Sequence, residues 1–448
     1  MPPHTPTTRI PRPEPAALAL PAFTGYRDLL GLVRQLSSLG GCSQPIRLEG
    51  QRTEIDAFTG EILRELKSKE LPAGHLLVRC GNRRTTRCPS CAELYRQDTY
   101  HLIAAGLRGG KNIPDQVATH PRVFATLTAP SYGPVHGRRV GGSARCRCGR
   151  THAKGDPLLG TPLDPERYDY TGAVLWNAHA PALWARFMLH LRRTIAAAAG
   201  VPQRLLSKYV RVSYAKVAEY QQRGLIHFHA VIRLDGPAGP YTPPPTWGTP
   251  DLLADAIRIS ATRARIDGPE VNGRACSFAF GEQIDTRVIR SSAFRAGTTI
   301  TEGKVAGYVA KYATKGTEAA TGTLDHGLKK ITDLWFESVP EHAARMIRTA
   351  WALGARDDLK HLNLRKWAHM LGFRGHFSTK TRAYSTTLSA LRTVRAAWHR
   401  RHTPPPSPTT LVLTHWTYNG TGLTPDLKRL ATLIHGSPTR ERAVTAGA

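Results

Sequence analysis

Acidic residues are scarce in this chain. Its 448 residues include 33 Asp and Glu against 62 Lys and Arg, a formal net charge of +29. So unbalanced a surface disfavours cationic ligands and favours a polyanion met by fast, salt-sensitive encounter. No apolar run approaches the ~20 residues that cross a bilayer, so no membrane partner is expected. Residues 1–20 are interrupted by prolines and lack the apolar stretch of a secretory signal. Nucleotide hydrolysis lacks its motif as well. The Gly106–Lys111 stretch does not have phosphate-loop spacing, and Gly303-Lys304-Val305 lacks the hydroxyl that would meet magnesium.

Against these absences stand two motifs. Leu225 to Leu234 is a run of mostly aliphatic, aromatic and β-branched residues that reads as a buried strand, entered through a turn at Gln221 to Gly224. Alternation puts His227 and His229 on one face, ~7 Å apart along the strand. The alternating segment from Tyr209 to Tyr220 folds back as the hairpin partner, and a turn centred near Gln222 and Arg223 sets Glu219 opposite His227. Two imidazoles and a carboxylate then form a divalent metal site. Further on, Val305 to Lys315 has helical composition, and Tyr308, Lys311 and Tyr312 share a face at i, i+3 and i+4. A phenol is a poor nucleophile at neutral pH unless a cation favours its phenolate, and Lys311 could supply that charge or neutralise a phosphate. Each motif alone also has a plain structural explanation: a satisfied strand histidine, or two aromatics packed on a core.

Together the motifs resemble those of the HUH endonucleases that initiate rolling-circle replication, with the two-tyrosine form of the second motif. The segment His120-Pro-Arg-Val-Phe-Ala-Thr-Leu-Thr-Ala-Pro130 is similar to that family's first strand, and the three occur in the order seen in replication initiators. More narrowly, Cys80 to about Thr317 resembles the RepSA-like initiators of actinobacterial plasmids and integrative elements. That likeness is carried by Arg87-Cys-Pro-Ser-Cys91, by the segment from His120 to His136, by Lys216-Val-Ala-Glu-Tyr220 and by the two core motifs, and it continues more weakly from Trp367 to Ser378. The resemblance implies a cytoplasmic enzyme that nicks and rejoins single-stranded origin DNA with Mg²⁺ or Mn²⁺ at His227, His229 and Glu219. Tyr308 or Tyr312 is the implied nucleophile and Lys311 the electrostatic helper. Single-stranded and duplex origin DNA and the host helicase and replication machinery are the implied partners. A related transposase or relaxase, a non-enzymatic zinc-stabilised DNA-binding regulator, and an RNA-binding protein are the alternatives.

Seven cysteines are present. Cys88, Cys91, Cys146 and Cys148 read as one structural four-thiolate Zn²⁺ site, with Cys80, His136 and His152 as competing ligands and Cys42 and Cys276 as ordinary thiols. In a reducing cytoplasm disulfides are the weaker alternative.

The expected architecture is α+β: an HUH-type antiparallel sheet with helices packed on one face, a zinc-binding insertion and a basic helical C-terminal domain. Residues 1–25 read as a disordered tail and 26–79 as a helical segment, with helices at 26–39 and 53–70. A cysteine-rich region spans 80–155, interleaved with an HUH domain over 120–320. Within it, 251–265 reads as a helix, and strands at 275–280 and 285–290 extend the sheet. A basic helical domain covers 325–402, with Trp335, Trp351, Trp367 and Trp398 in its core. Arg365, Lys366, Arg374, Lys380 and Arg382 are its candidate DNA contacts, beside Arg345, Arg348, Arg392, Arg395 and Arg400. A Pro-rich linker and tail, with a strand near Thr410 to Tyr418, close the chain over 403–448.

Overall fold

The computed structural model describes residues 26–138, 145–271, 273–290, 300–314, 321–322, 324, 326–401 and 407–435. The expected tail at 1–25 lies outside them. In chain order, helix α1 (Tyr26–Ser38) precedes strands β1 (Ile46–Asp56), β2 (Ile62–Lys67) and β3 (Leu76–Val78) and helix α2 (Pro89–Arg108). Then come β4 (Arg122–Leu127), α3 (Tyr170–Ala198), β5 (Arg211–Tyr220), β6 (Ile226–Asp235) and α4 (Pro250–Arg263). They are followed by β7 (Arg265–Val271), β8 (Arg274–Ala279), β9 (Ile284–Arg290), β10 (Ile300–Thr301) and α5 (Glu302–Ala313). The remaining elements are α6 (Glu341–Leu353), β11 (Ser378–Lys380), α7 (Leu388–His399), β12 (Thr410–Thr421) and α8 (Pro425–His435). No helix among the described residues is long and apolar enough to cross a membrane.

The chain divides into two units: residues 1–82 with 87–91 and 404–448, and residues 83–86 with 92–403. In the first unit β1 pairs with β2, β3 and β12, all antiparallel. The helix expected at 53–70 is therefore a hairpin. Ile55, Ile62 and Leu66 have helical spacing, but Asp56 makes the turn by accepting hydrogen bonds from the amides of Phe58 and Thr59 at 2.9 and 3.0 Å. Gly60 completes it at φ +72°. The expected C-terminal tail is likewise structured. β12 runs the length of β1 from Thr410 opposite Asp56 to Thr421 opposite Ile46, and α8 packs on α1.

In the second unit a six-stranded sheet has the order β10-β9-β4-β6-β5-β11, antiparallel except for the β10–β9 pair. Helices cover both faces rather than one. On one side Phe228, Ile232 and Val123 pack with Trp176, Leu183 and Phe187 of α3, Ile257 of α4 and Ile347 of α6. On the other, Phe124, Val217 and Val231 meet Ile103 and Leu107 of α2 and Val305, Val309 and Ala313 of α5. Both faces of β6 are thus buried, and its polar residues are engaged: Arg233 pairs with Asp235, and His227 and His229 meet Glu219. β8 does not extend this sheet: with Gly273 in the turn at φ +72°, it pairs with β7 alone among the described residues. The block at 325–402 is not a domain of its own, because β11 is an edge strand of the main sheet and α6 lies in its core. Nor are its tryptophans a core. Trp335 is 77% exposed and Trp398 62%, while Trp351 and Trp367 are half-buried.

Two buried polar groups lock the sheet. Asn177 on α3 is fully buried. Its amide donates to the carbonyls of Gly224 and Leu371, both at 2.9 Å, and its oxygen accepts from the amide of Ile226 at 3.0 Å. The turn that sets the β5–β6 register is thereby tied to the helix beneath it. At the other end of β6, Asp235 is gripped by Arg233 at 2.6 and 3.0 Å, by His120 at 2.8 Å and by Ser213 at 2.6 Å. Burial alone would raise this carboxyl, but His120 and Arg233 more than offset it and hold it below its ordinary value.

Asn177→Ala, which strands a buried amide and two carbonyls, is expected to lower stability by about 1–3 kcal/mol, read from the urea midpoint. Asp235 ionises more readily folded than unfolded. Its contribution is present above the unfolded pKa of ~3.9 and is lost as pH falls through the lower folded value. Unfolding titrations between neutral and acid pH should show that Asp235→Asn is less stable near neutrality and has a shallower acid limb than the parent chain.

Candidate active site

β5 and β6 are joined by the tight turn at 221–224, where the Gly224 amide donates to the Gln221 carbonyl at 2.9 Å. Gly224 has φ +75°, and a Cβ there would lie 2.6 Å from Sδ of Met346. This turn places Glu219 directly opposite His227. One carboxylate oxygen, Oε2 of Glu219, lies 3.0 Å from Nε2 of His227 and 3.1 Å from Nε2 of His229. The three donor atoms face one point, all within 4.8 Å of one another. The cluster is mostly buried, with side-chain exposures of 12% for Glu219, 14% for His227 and 3% for His229.

β4 supplies the outer support. Thr126 is paired with His229, and its hydroxyl lies 3.0 Å from Nδ1 of that ring, so Nε2 is the nitrogen aimed at the cluster. Phe124, two residues earlier on the same face, stacks on His229 with ring centroids 5.9 Å apart. The Thr-Leu-Thr segment is recognisable as a motif from sequence, but this contact depends on the β4–β6 register, which sequence alone does not give.

α5 closes the site. Thr301 caps it by accepting from the Lys304 amide at 3.4 Å, and small residues, Ala306, Ala310 and Ala313, let it lie close to the sheet. Glu302 in its first turn pairs with Arg122 of β4 at 2.6 Å with both largely buried, a brace that no sequence signal announced. Tyr308 and Tyr312 then project over the histidines. The Tyr308 hydroxyl is 3.4 Å from Nε2 of His229, and the two phenol rings are 4.5 Å apart. The Tyr312 ring is 5.4 Å from that of His229. Burial first, then the neighbouring Tyr312 and Glu219, push the Tyr308 phenol well above its usual pKa. Lys311 is exposed and stands with its ammonium 5.9 Å from the Tyr312 ring centre, at the rim of the cluster.

An open groove of about 730 Å³ begins just past Thr126 and Glu219 on their strands. Thr128, Ser131, Gln221, Gln283 and the exposed Arg147 are among the residues that line it. None of the five candidate phosphate contacts is among the residues lining this groove. The guanidinium of Arg365 sits over Trp351 and the ammonium of Lys366 over Trp367, each 5.5 Å from the ring centre. Arg374 donates to the His361 carbonyl at 2.8 Å and Lys380 to that of Ser385 at 2.7 Å, while Arg382 is exposed. Three of the wider basic set are held in ion pairs, Arg345 with Glu166, Arg348 with Glu341 and Arg395 with Asp98.

The cysteines expected to share one site are divided. Cys88 and Cys91 lie with Cys80 and with Cys42, which had been read as an ordinary thiol. Cys146 and Cys148 lie instead with His136 and His152. Sequence spacing offered no means of deciding which pairs would meet, although His136 and His152 flank their cysteines closely enough to have been weighed as competing ligands.

The chain is 50% identical to a replication initiator protein of Streptomyces ambofaciens over 413 residues, which cover 89% of this chain and 88% of that relative. No solved structure matches it. The family model RepSA, described as "Replication initiator protein, pSAM2", matches residues 29–435. With the match running almost end to end, the chain belongs to the RepSA family of replication initiator proteins.

Proposed function

We propose that the chain starts rolling-circle replication by nicking and rejoining one strand of origin DNA through a phosphotyrosine bond. The observation that carries this reading is the Tyr308 hydroxyl 3.4 Å from Nε2 of His229, in a cluster where a second phenol, two imidazoles and a carboxylate converge. The donor set fits a divalent cation. The 3.0 and 3.1 Å spacings between Oε2 of Glu219 and the two Nε2 atoms are close to the ~3.0 Å edge of an octahedron with ~2.1 Å bonds. Glu219, His227 and His229 would hold Mg²⁺ or Mn²⁺, which when bound polarises a phosphoryl oxygen as a Lewis acid.

The protein's own groups perform the transfer. The Tyr308 oxygen loses its proton to water and attacks phosphorus in line. As the phosphotyrosine bond forms, the bond from phosphorus to the 3′ oxygen breaks, and that oxygen takes up a proton to become the hydroxyl that primes synthesis. One phosphodiester is exchanged for another, so rejoining needs no nucleotide hydrolysis. Tyr312, its ring 4.5 Å from that of Tyr308, makes the second transfer at the same phosphate position. Lys311 at the rim offsets charge on the phosphate. The groove beside Thr128 and Gln221 accepts the single strand, and Arg365, Lys366, Arg374, Lys380 and Arg382 meet the phosphates of duplex origin DNA. Without a phosphate-loop motif in the sequence, unwinding falls to the host helicase and replication machinery.

Incubating the protein with end-labelled single-stranded origin DNA and Mn²⁺, followed by a denaturing gel, is expected to give protein-linked label. The double variant Tyr308→Phe, Tyr312→Phe should give none while binding duplex origin DNA as before; label that persists in it rejects the assignment. Thr126→Val, which removes the support at Nδ1 of His229, is expected to weaken metal affinity about 10- to 100-fold. The Mn²⁺ concentration for half-maximal nicking should rise accordingly, with activity recovered at saturating Mn²⁺.

A further inference from the structure

Outside the candidate active site, the described residues hold two other groups of metal-ligating side chains. Cys42, Cys80, Cys88 and Cys91 form one and His136, Cys146, Cys148 and His152 the other, with the donor atoms of each within 4.8 Å of one another. A tetrahedron with zinc–sulfur bonds of ~2.3 Å and zinc–nitrogen bonds of ~2.05 Å has edges of ~3.8 Å between sulfurs, ~3.5 Å between sulfur and nitrogen and ~3.3 Å between nitrogens. Cys42 and Cys88 have their sulfurs 3.8 Å apart, far beyond the ~2.05 Å of a disulfide. In the other group the His136 and His152 nitrogens are 3.2 Å apart. Cys148 lies 3.3 Å from His152, and Cys146 3.8 Å from His136. These are tetrahedral edges.

The surroundings are those of ligands. His152 turns Nε2 to the cluster while Nδ1 meets Oδ2 of Asp156 at 2.7 Å, the carboxylate–histidine arrangement that fixes the ring of a zinc ligand. The Cys80 amide points at the sulfur of Cys42 at 3.4 Å, and the Asn82 amide at that of Cys80 at 3.5 Å. Cys42, Cys88 and Cys91 are buried among Leu32, Leu36 and Leu77. Each group also sits where the chain needs a clasp. The first gathers the segments after α1 and β3 and the start of α2, and the second lies within the long connection from β4 to α3, which has no helix or strand of its own among the described residues. Irregular connections longer than ~12–15 residues are uncommon unless something else holds them.

We infer that the chain carries two separate structural zinc sites, a Cys₄ site at Cys42, Cys80, Cys88 and Cys91 and a Cys₂His₂ site at His136, Cys146, Cys148 and His152. All-sulfur or sulfur–imidazole sets of four select zinc and leave no coordination position for substrate. The inference is independent of the nicking chemistry.

Metal analysis of the purified full-length chain by plasma mass spectrometry decides it. Two zinc ions per chain are expected, falling to one in Cys42→Ser, to one in the double variant Cys148→Ser, His152→Ala, and to none when all three changes are combined. A content of one or none in the parent, or two retained in Cys42→Ser, overturns it. Should Cys42→Ser fail to accumulate, cobalt loading of the unaltered chain replaces it. Two cobalt ions with charge-transfer absorption for six thiolates support the two sites, since six thiolates and two imidazoles make up the two sets; one cobalt with four thiolates overturns them.

Discussion

The pairing of β5 with β6 is the constraint on which the candidate active site rests. Side chains alternate faces along a strand, so a slip of one residue would send Glu219 into the core beneath α3 and bring Ala218 or Tyr220 up in its place. The register is held from both sides. Phe228, Ala230 and Ile232 are committed to the core on the α3 side and Val231 to the core on the α5 side. Asn177 grips the turn itself. The placement of Glu219 opposite His227 is thus a by-product of burying both faces of one strand.

Rigid placement of the phenols follows a different logic. A helix lying on a sheet can slide, and a shift of about one residue, ~1.5 Å along its axis, would carry Tyr308 out of reach of His229. Val305 and Val309 give α5 its apolar seat, but apolar contacts are not directional. The buried Arg122–Glu302 pair is directional, because breaking it leaves an uncompensated charge in the interior. Arg122 also donates to the carbonyls of Leu107 and Ala118, so one guanidinium fixes α5 relative to β4 and the end of α2.

What could be read from the sequence was local. His227 and His229, the fold-back to Glu219, and Tyr308 with Tyr312 on one helical face all lie within short, strongly patterned segments, where period and turn chemistry decide the geometry. The hairpin at β1 and β2 was mistaken for a helix because its aliphatic residues have a spacing both periods accommodate, and the Asp56 turn decided the outcome. The grouping of cysteines, the contact of Thr126 with His229 and the membership of β11 in the main sheet all depend on which distant segments meet. Composition carries no record of that. Residue type alone points Trp335 and Trp398 to a core, yet both are exposed.

The first unit has a temporal consequence. Its central strand, β1, pairs along its length with β12, which follows it by more than 350 residues, as the Thr409–Asp56 hydrogen bond illustrates. A ribosome delivers β1 long before β12, so the early strand must wait, its edge unmet, while the whole of the second unit emerges. Closing so long a loop costs only a logarithmic entropy in its length, and less if the intervening residues have already folded. Completion of this sheet therefore waits on synthesis of Thr410 to Thr421: a chain cut short before residue 410 lacks the strand that pairs with β1 along its length.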